Sequence, residues 1–194
     1  MAPDSNDPRL QVPQCNDLQP IEELFSNDWF TLRNRGGYYT VEPHLPQVIV
    51  LPIVNGGSVI LVRAKRPVLA DCPLELPAGS CHEGETPSEA AARELAEETG
   101  VQIGDLQRFV PLPPLSANPN RSPFLLHVYL VQISREEFLD RRSHDSEIQQ
   151  VVLLSLGKAL QLIAAGEIYV SVPVAVISRY ALGRGDILSK RTTW

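Results

Sequence analysis

Cysteine is scarce in this 194-residue chain: Cys15, Cys72 and Cys81 include no C-x-x-C pair, so neither a disulfide framework nor a thiolate zinc site is indicated. Reduced thiols are expected. Long apolar runs are missing as well. Val48 to Val54, the longest near the middle, falls far short of the roughly 20 residues a bilayer-spanning helix needs. The opening MAPDSNDPRL lacks the basic-then-apolar pattern of a secretory leader, so a cytoplasmic location with no membrane partner is the expectation. Without secretion, the glycosylation-like Asn120-Arg121-Ser122 carries no weight. Positive charge is also in deficit, 17 Lys and Arg against 23 Asp and Glu for a net charge of -6. That balance argues against stable nucleic-acid binding, and an anionic substrate would have to be received by local cations.

What is present suits a globular domain: 43% of residues are hydrophobic and 21% charged. Residues 1–23 carry several prolines, aspartates and asparagines but few large apolar groups, and read as a flexible arm ahead of a single domain over 24–194. Trp29 to Leu32 and Tyr38 to Val41 flank Arg33-Asn34-Arg35-Gly36-Gly37 as an N-terminal β-hairpin. Gln47 to Val54 and Ser58 to Val62 form a second around Asn55-Gly56-Gly57. Phe124 to Ile133 and Ile148 to Leu154 are further strand candidates. Ser155 can cap a helix that ends at Gly166, and Ser171 to Leu182 reads as a last helix with Gly183 as its stop.

The strongest helix signals lie between Thr86 and Gly100. Thr86-Pro87-Ser88-Glu89 is a capping box with proline at the first helical position, and Gly100 suits a left-handed C-terminal residue. Ala91, Ala92, Leu95 and Ala96 would pack on one side, leaving Glu94, Glu97 and Glu98 on the other. Carboxylates there oppose the negative end of the helix dipole, costing roughly 0.3 to 1 kcal/mol each when exposed. Arg93, four residues before Glu97, offsets only part of that charge. A solvated acidic face is the ordinary fate of such a run. Oxygen ligands at this spacing also suit Mg2+, which retains sites for water and phosphate, and a carbonyl from the Leu76-Pro77-Ala78-Gly79-Ser80 loop could join them.

Gly79, Glu85, Arg93, Glu94, Leu95, Glu97, Glu98, Gly100 and Val101 match every fixed position of G-x5-E-x7-R-E-U-x-E-E-x-G-U, U being bulky aliphatic. On these residues the chain resembles the Nudix hydrolases. The resemblance implies an α/β fold, an α/β/α sandwich around a mixed β-sheet, and hydrolysis of a nucleoside diphosphate derivative with Mg2+ or Mn2+. It implies Glu94, Glu97, Glu98 and the Ala78 carbonyl as metal ligands, Arg93 as orienting the cluster, and Glu85 as its support. Leu74-Glu75-Leu76-Pro77-Ala78-Gly79, Leu61 to Pro67 and Gly166-Glu167-Ile168 are most like the ADP-ribose and nucleotide-sugar pyrophosphatases.

In that branch an arginine at the Arg66 position contacts phosphates, and Arg63 and Lys65 are further cations of the same strand end. A glutamate of a later loop stands near the attacking water, which points to Glu147 first and Asp145 second as general base. The branch's proline-glycine loop is replaced by Ser116-Ala117-Asn118-Pro119-Asn120-Arg121-Ser122, where Asn120 could hold the left-handed conformation of the turn and Arg121 could reach substrate. Trp29, Phe30, Tyr38 and Tyr39 offer aromatic rings, with Trp29 the candidate for substrate. Relatives use N-terminal strands to build a homodimer whose partner completes the pocket. A nucleotide-sensing module without catalysis is the alternative from another class; such modules often lose box carboxylates, and this chain retains all of them. Dinucleoside polyphosphates, NADH and coenzyme A are alternative substrates.

Overall fold

The computed structural model describes residues 5–10 and 13–184. Residues 1–4 and 11–12 of the expected arm, and residues 185–194 of the expected domain, lie outside them. Two compact units divide the chain: Met1–Val50 with Ala78–Glu94 and Ile103–Val131, and Leu51–Pro77 with Leu95–Gln102 and Gln132–Trp194. No helix of the described residues is long and apolar enough to cross a membrane.

The first unit opens with a three-stranded antiparallel sheet, β1 (Ile21–Ser26), β2 (Phe30–Arg35) and β3 (Tyr38–Pro43). The β2–β3 hairpin is longer than the sequence suggests. Arg33 and Arg35 are strand residues, Arg35 pairs with Tyr38, and only Gly36 and Gly37, at φ of 57° and 94°, make the turn. Both need the left-handed freedom of glycine. β1 was not anticipated, because all six of its residues are exposed and no alternation marks it. It exists through its backbone ladder to β2, with an irregularity between Glu23 and Phe25.

The polarity of this sheet is inverted. Register places Thr31 opposite Glu42 and Arg33 opposite Thr40 on one face, while Leu32 faces Val41 and Asn34 faces Tyr39 on the other. On the polar face Glu42 and Arg35 are buried, at 2% and 6% exposure. Arg35 donates to both Glu42 oxygens at 2.6 and 2.9 Å, Arg33 adds a bond at 2.7 Å and Thr40 one at 2.6 Å. Phe25, Tyr39 and Val41 on the opposite face are exposed.

The larger sheet has strand order β10-β5-β4-β9-β8, with two short strands, β6 pairing β5 and β7 pairing β4. In the first unit the start of β4 (Gln47–Val54) pairs antiparallel with β7 (Ala78–Ser80), and β8 (Phe109–Leu115) with β9 (Leu126–Ile133). The break expected across Leu76 to Ser80 is confined to Leu76-Pro77, since Ala78–Ser80 is itself a strand. β8 escaped sequence reading because Pro111, Pro113 and Pro114 interrupt it; its place at the end of the order tolerates prolines that a central strand would not.

In the second unit β5 (Ser58–Ala64) pairs with the end of β4, with β6 (Leu74–Glu75) and with β10 (Ile148–Ser155). The β4–β5 turn uses Asn55 and Gly56 at positive φ, as its sequence predicts. Val59 to Val62 are fully buried, each worth roughly 1.5 to 3 kcal/mol for its apolar side chain. A short helix, α2 (Arg135–Leu139), follows a complete capping box of Ser134 and Glu137 that sequence reading passed over. The last helix, numbered α4 below, runs Ser171–Arg184 and continues through Gly183 instead of stopping there. Ser155 caps the helix Leu156–Ala164 (α3), and Gly166 at φ 75° follows its end. Helices on a mixed sheet are the α/β class expected.

Candidate active site

The box helix, which lies between β7 and β8 and is α1, spans Pro87–Thr99. Its N-terminal box is formed: Thr86 N–H donates to Glu89 at 2.8 Å and Glu89 N–H returns to Thr86 Oγ1 at 3.3 Å. Ala91 and Leu95 are fully buried, as the packing side requires, while Ala92 and Ala96 are half-buried. Glu94, expected on an open acidic face, is only 8% exposed; Glu97 and Glu98 are half-buried.

Why Glu94 fits there is explained by Gly79. A Cβ at position 79 would collide with the Glu94 carboxylate, so glycine is required for space and not for a turn. Arg93 then ties loop to helix. It donates to both oxygens of Glu85 at 2.9 Å, to Glu94 Oε1 at 2.8 Å and to the Ser80 carbonyl at 2.8 Å. Its ion pairs include Glu85, eight residues back, and the adjacent Glu94. Hydrogen bonds from Arg93 hold the Glu85 carboxyl below its ordinary range, so Glu85 is a charged anchor at neutral pH.

At the other end of α1, in the second unit, the loop after α2 meets the helix carbonyls. Asp145 N–H donates to the Glu97 carbonyl at 2.8 Å and Arg142 N–H to the Gly100 carbonyl at 2.9 Å. These bonds satisfy acceptors that a helix end leaves unpaired. Gly100 sits at φ 76°, and a Cβ there would strike the Arg142 carbonyl. The loop that carries both candidate bases is thereby tied to the acidic helix, with Asp145 and Glu147 themselves exposed.

Glu147, Arg66 and Lys65 line one groove of the second unit with Pro67, Val68, Leu69 and Ser146. Arg66 is bidentate to Glu75, Nε at 2.8 Å and Nη2 at 3.2 Å. That bond first, and the charges of Glu98 and Glu147 more weakly, raise the Arg66 pKa further. Lys65 donates to the Ser146 carbonyl at 2.7 Å. Arg63 does not line this groove; its guanidinium bonds the Cys72 carbonyl at 3.1 Å. Glu75 was quoted in the sequence without a role. In the β5–β6 ladder Glu75 pairs with Val62, so strand register alone does not mark it as the partner of Arg66.

In the first unit Trp29 and Arg121 line a groove of about 420 Å3 with Phe30, Asn118, Ser80 and Gln47 among others. Trp29 is 73% exposed, an unusual state for so large an apolar ring. Arg121 is braced by β3, donating to the Tyr39 carbonyl at 3.2 Å and accepting from Val41 N–H at 2.7 Å. The turn before it closes by Arg121 and Ser122 N–H on the Asn118 carbonyl. Asn120 is not left-handed; among the described residues only Asn55 and Ala70 are non-glycines at positive φ.

No group of three His, Cys, Asp or Glu side chains among the described residues is gathered as a metal cluster. The donor set nonetheless suits a hard cation. Glu94, Glu97 and Glu98 stand at i, i+3 and i+4 on one helix and offer only carboxylate oxygens, and the space Gly79 leaves is filled by the Glu94 carboxylate.

Comparison with known proteins shows the family. The NUDIX domain family matches residues 43–171. The chain is 30% identical over 149 residues to the ADP-ribose pyrophosphatase of Bacillus subtilis (strain 168), covering 77% of this chain and 79% of that one. It is 30% identical over 135 residues to the methanol dehydrogenase activator of Bacillus methanolicus, covering 69% and 71%. It is 34% identical over 115 residues to the ADP-sugar pyrophosphatase of Mus musculus, covering 55% and 51%. The chain belongs to the NUDIX family, as a pyrophosphohydrolase.

Proposed function

We propose that the chain hydrolyses the pyrophosphate bond of a nucleoside diphosphate derivative, ADP-ribose or a nucleotide sugar, to a nucleoside monophosphate and a sugar phosphate. The observation that carries this reading is the groove of the second unit, where Glu147 and Arg66 stand together while Arg66 feels the charge of Glu98. A candidate base, a phosphate-binding cation and the C-terminal part of the acidic helix, which carries Glu98, thus belong to one unit. The similarity to an ADP-ribose pyrophosphatase and an ADP-sugar pyrophosphatase supports the substrate class.

Glu94, Glu97, Glu98 and the Ala78 carbonyl would hold Mg2+ or Mn2+. A divalent cation bound there would offset phosphate charge and lower the pKa of a bound water. Arg93, fixed by Glu85, holds the Glu94 carboxylate in place. Glu147 accepts the proton of the attacking water, with Asp145 as the second choice. Arg66 and Lys65 receive the diphosphate, countering a net charge of -6. Trp29 stacks on the ring of the nucleoside and Arg121 meets its polar edge, which the shared groove supports.

The exposed face of the N-terminal sheet is the surface of a homodimer in this reading. Exposed Phe25, Tyr39 and Val41 form an apolar patch of the kind that marks association.

The test is a Mg2+-dependent phosphate-release panel, coupled to a phosphatase, over ADP-ribose, nucleotide sugars, NADH, coenzyme A and nucleoside triphosphates. Turnover of ADP-ribose or a nucleotide sugar is expected to lead. Nucleotide binding with no hydrolysis of any diphosphate would instead identify a sensor.

A further inference from the structure

From Arg66 to Asp71 the chain folds back on itself. The two residues form an isolated antiparallel bridge, with Arg66 N–H donating to the Asp71 carbonyl at 2.9 Å. Leu69 and Ala70 N–H close the turn on the carbonyls of Arg66 and Pro67 at 3.0 and 3.1 Å. Ala70 is held at φ 54°, a conformation its Cβ disfavours. At the tip Val68 is 99% exposed and Leu69 55% exposed. A strained turn that buries no side chain of its own has little local packing to keep it in one conformation.

Its anchor comes from far along the chain. Tyr169 Oη donates to Asp71 Oδ2 at 2.5 Å, and Cys72 N–H donates to Asp71 Oδ1 at 2.7 Å, so both carboxylate oxygens are held. The bond from Tyr169, more than that from Cys72, lowers the Asp71 pKa, and the same bond raises that of the phenol. At neutral pH the pair is therefore an ionised acceptor and a protonated donor. At the other end of the turn, Glu75 grips the Nε and Nη2 edge of the Arg66 guanidinium.

We infer that Tyr169 is a positioning residue for Arg66. Its phenol latches Asp71, the bridge from Asp71 sets the Arg66 backbone, and Glu75 sets the guanidinium plane, so the arginine is presented to its groove in one pose before a phosphate arrives. The inference rests on Arg66 binding substrate phosphate, as proposed above. A cation ordered in advance does not lose that freedom on binding, so the latch contributes to affinity and leaves the chemical step alone.

The experiment is a double-mutant cycle on the full chain with Mg2+ and ADP-ribose, or the fastest substrate of the panel. Tyr169→Phe, which retains the ring, is expected to raise KM about tenfold, the scale of one hydrogen bond to a charged group, with kcat within about twofold. In an Arg66→Ala background the same change is expected to raise KM no further. Asp71→Ala reproduces the effect from the other side, and Asp71→Asn, whose amide oxygen still accepts from the phenol, restores most of the affinity. Equal losses in both backgrounds, or a loss that falls on kcat, would overturn the latch. Arg66→Ala with unchanged KM would overturn the phosphate role itself, whatever Tyr169 does.

Discussion

Gly79 and Glu94 share one space: the side chain that residue 79 lacks would stand where the Glu94 carboxylate lies. Strand β7, which carries Gly79 opposite Val48, is thereby matched to helix α1 through a single absent Cβ. Gly79→Ala must displace the carboxylate or the strand. The expected result is a fall in turnover of about 10- to 100-fold, the range for disturbing the support of a metal ligand. Strain of about 1 to 3 kcal/mol should accompany it as a lower thermal midpoint. Steady-state kinetics beside a melting curve separate the two effects.

Glu98→Gln preserves size and removes charge. A loss of about 100-fold or more in kcat is expected, as for withdrawing one electrostatic contributor to a transition state, with the melting temperature little changed. Chelation with EDTA should abolish the wild-type activity, and Mg2+ or Mn2+ should restore it. Near-normal turnover of the variant would remove Glu98 from the site.

Glu42 links pH to stability. Burial pushes its carboxyl up, but hydrogen bonds from Arg35, Thr40 and Arg33 outweigh that and bring it to about 2, below the ordinary 4.5. A folded-state pKa below the unfolded value means the contribution is complete above the ordinary carboxylate range and is lost as pH falls toward 2. Denaturation monitored by circular dichroism between pH 5 and pH 2.5 should show this decline, and Glu42→Gln should flatten it. Glu42→Ala leaves the Arg35 charge buried without its partner and should cost about 3 to 5 kcal/mol.

The apolar face of the N-terminal sheet makes a prediction about assembly. Val41→Asp places a charge beside exposed Phe25 and Tyr39 and half-buried Leu32 without touching the Glu42 network on the opposite face. Sedimentation velocity should show the wild-type chain as a dimer and this variant as a monomer. A wild-type monomer at micromolar concentration would end the homodimer reading.

The covalent order of residues was enough, by itself, for the features whose cause is local. Thr86-Pro87-Ser88-Glu89 and Gly100 bound a helix because caps satisfy backbone groups within a few residues. Asn55-Gly56 makes a turn because both positions tolerate positive φ. The spacing from Gly79 to Val101 named the family because all the box residues lie within one short stretch of loop and helix. Strand β1 was not legible, because its stability lies in a backbone ladder and its side chains are all exposed. Strand β8 was hidden by prolines that only an end position permits.

Pairings across long separations belong to tertiary structure. Nothing local distinguishes Glu75 as the partner of Arg66, Tyr169 as the donor to Asp71, or the Asp145 N–H as the donor to the Glu97 carbonyl. Arg93 shows the difference most directly. Helical spacing points to Glu97, four residues on; the fold also brings Glu85, eight residues back, and the Ser80 carbonyl to its guanidinium. A local rule proposes a partner at a fixed spacing, but a half-buried cation takes the acceptors that desolvation leaves within its reach, and only the folded chain decides which those are.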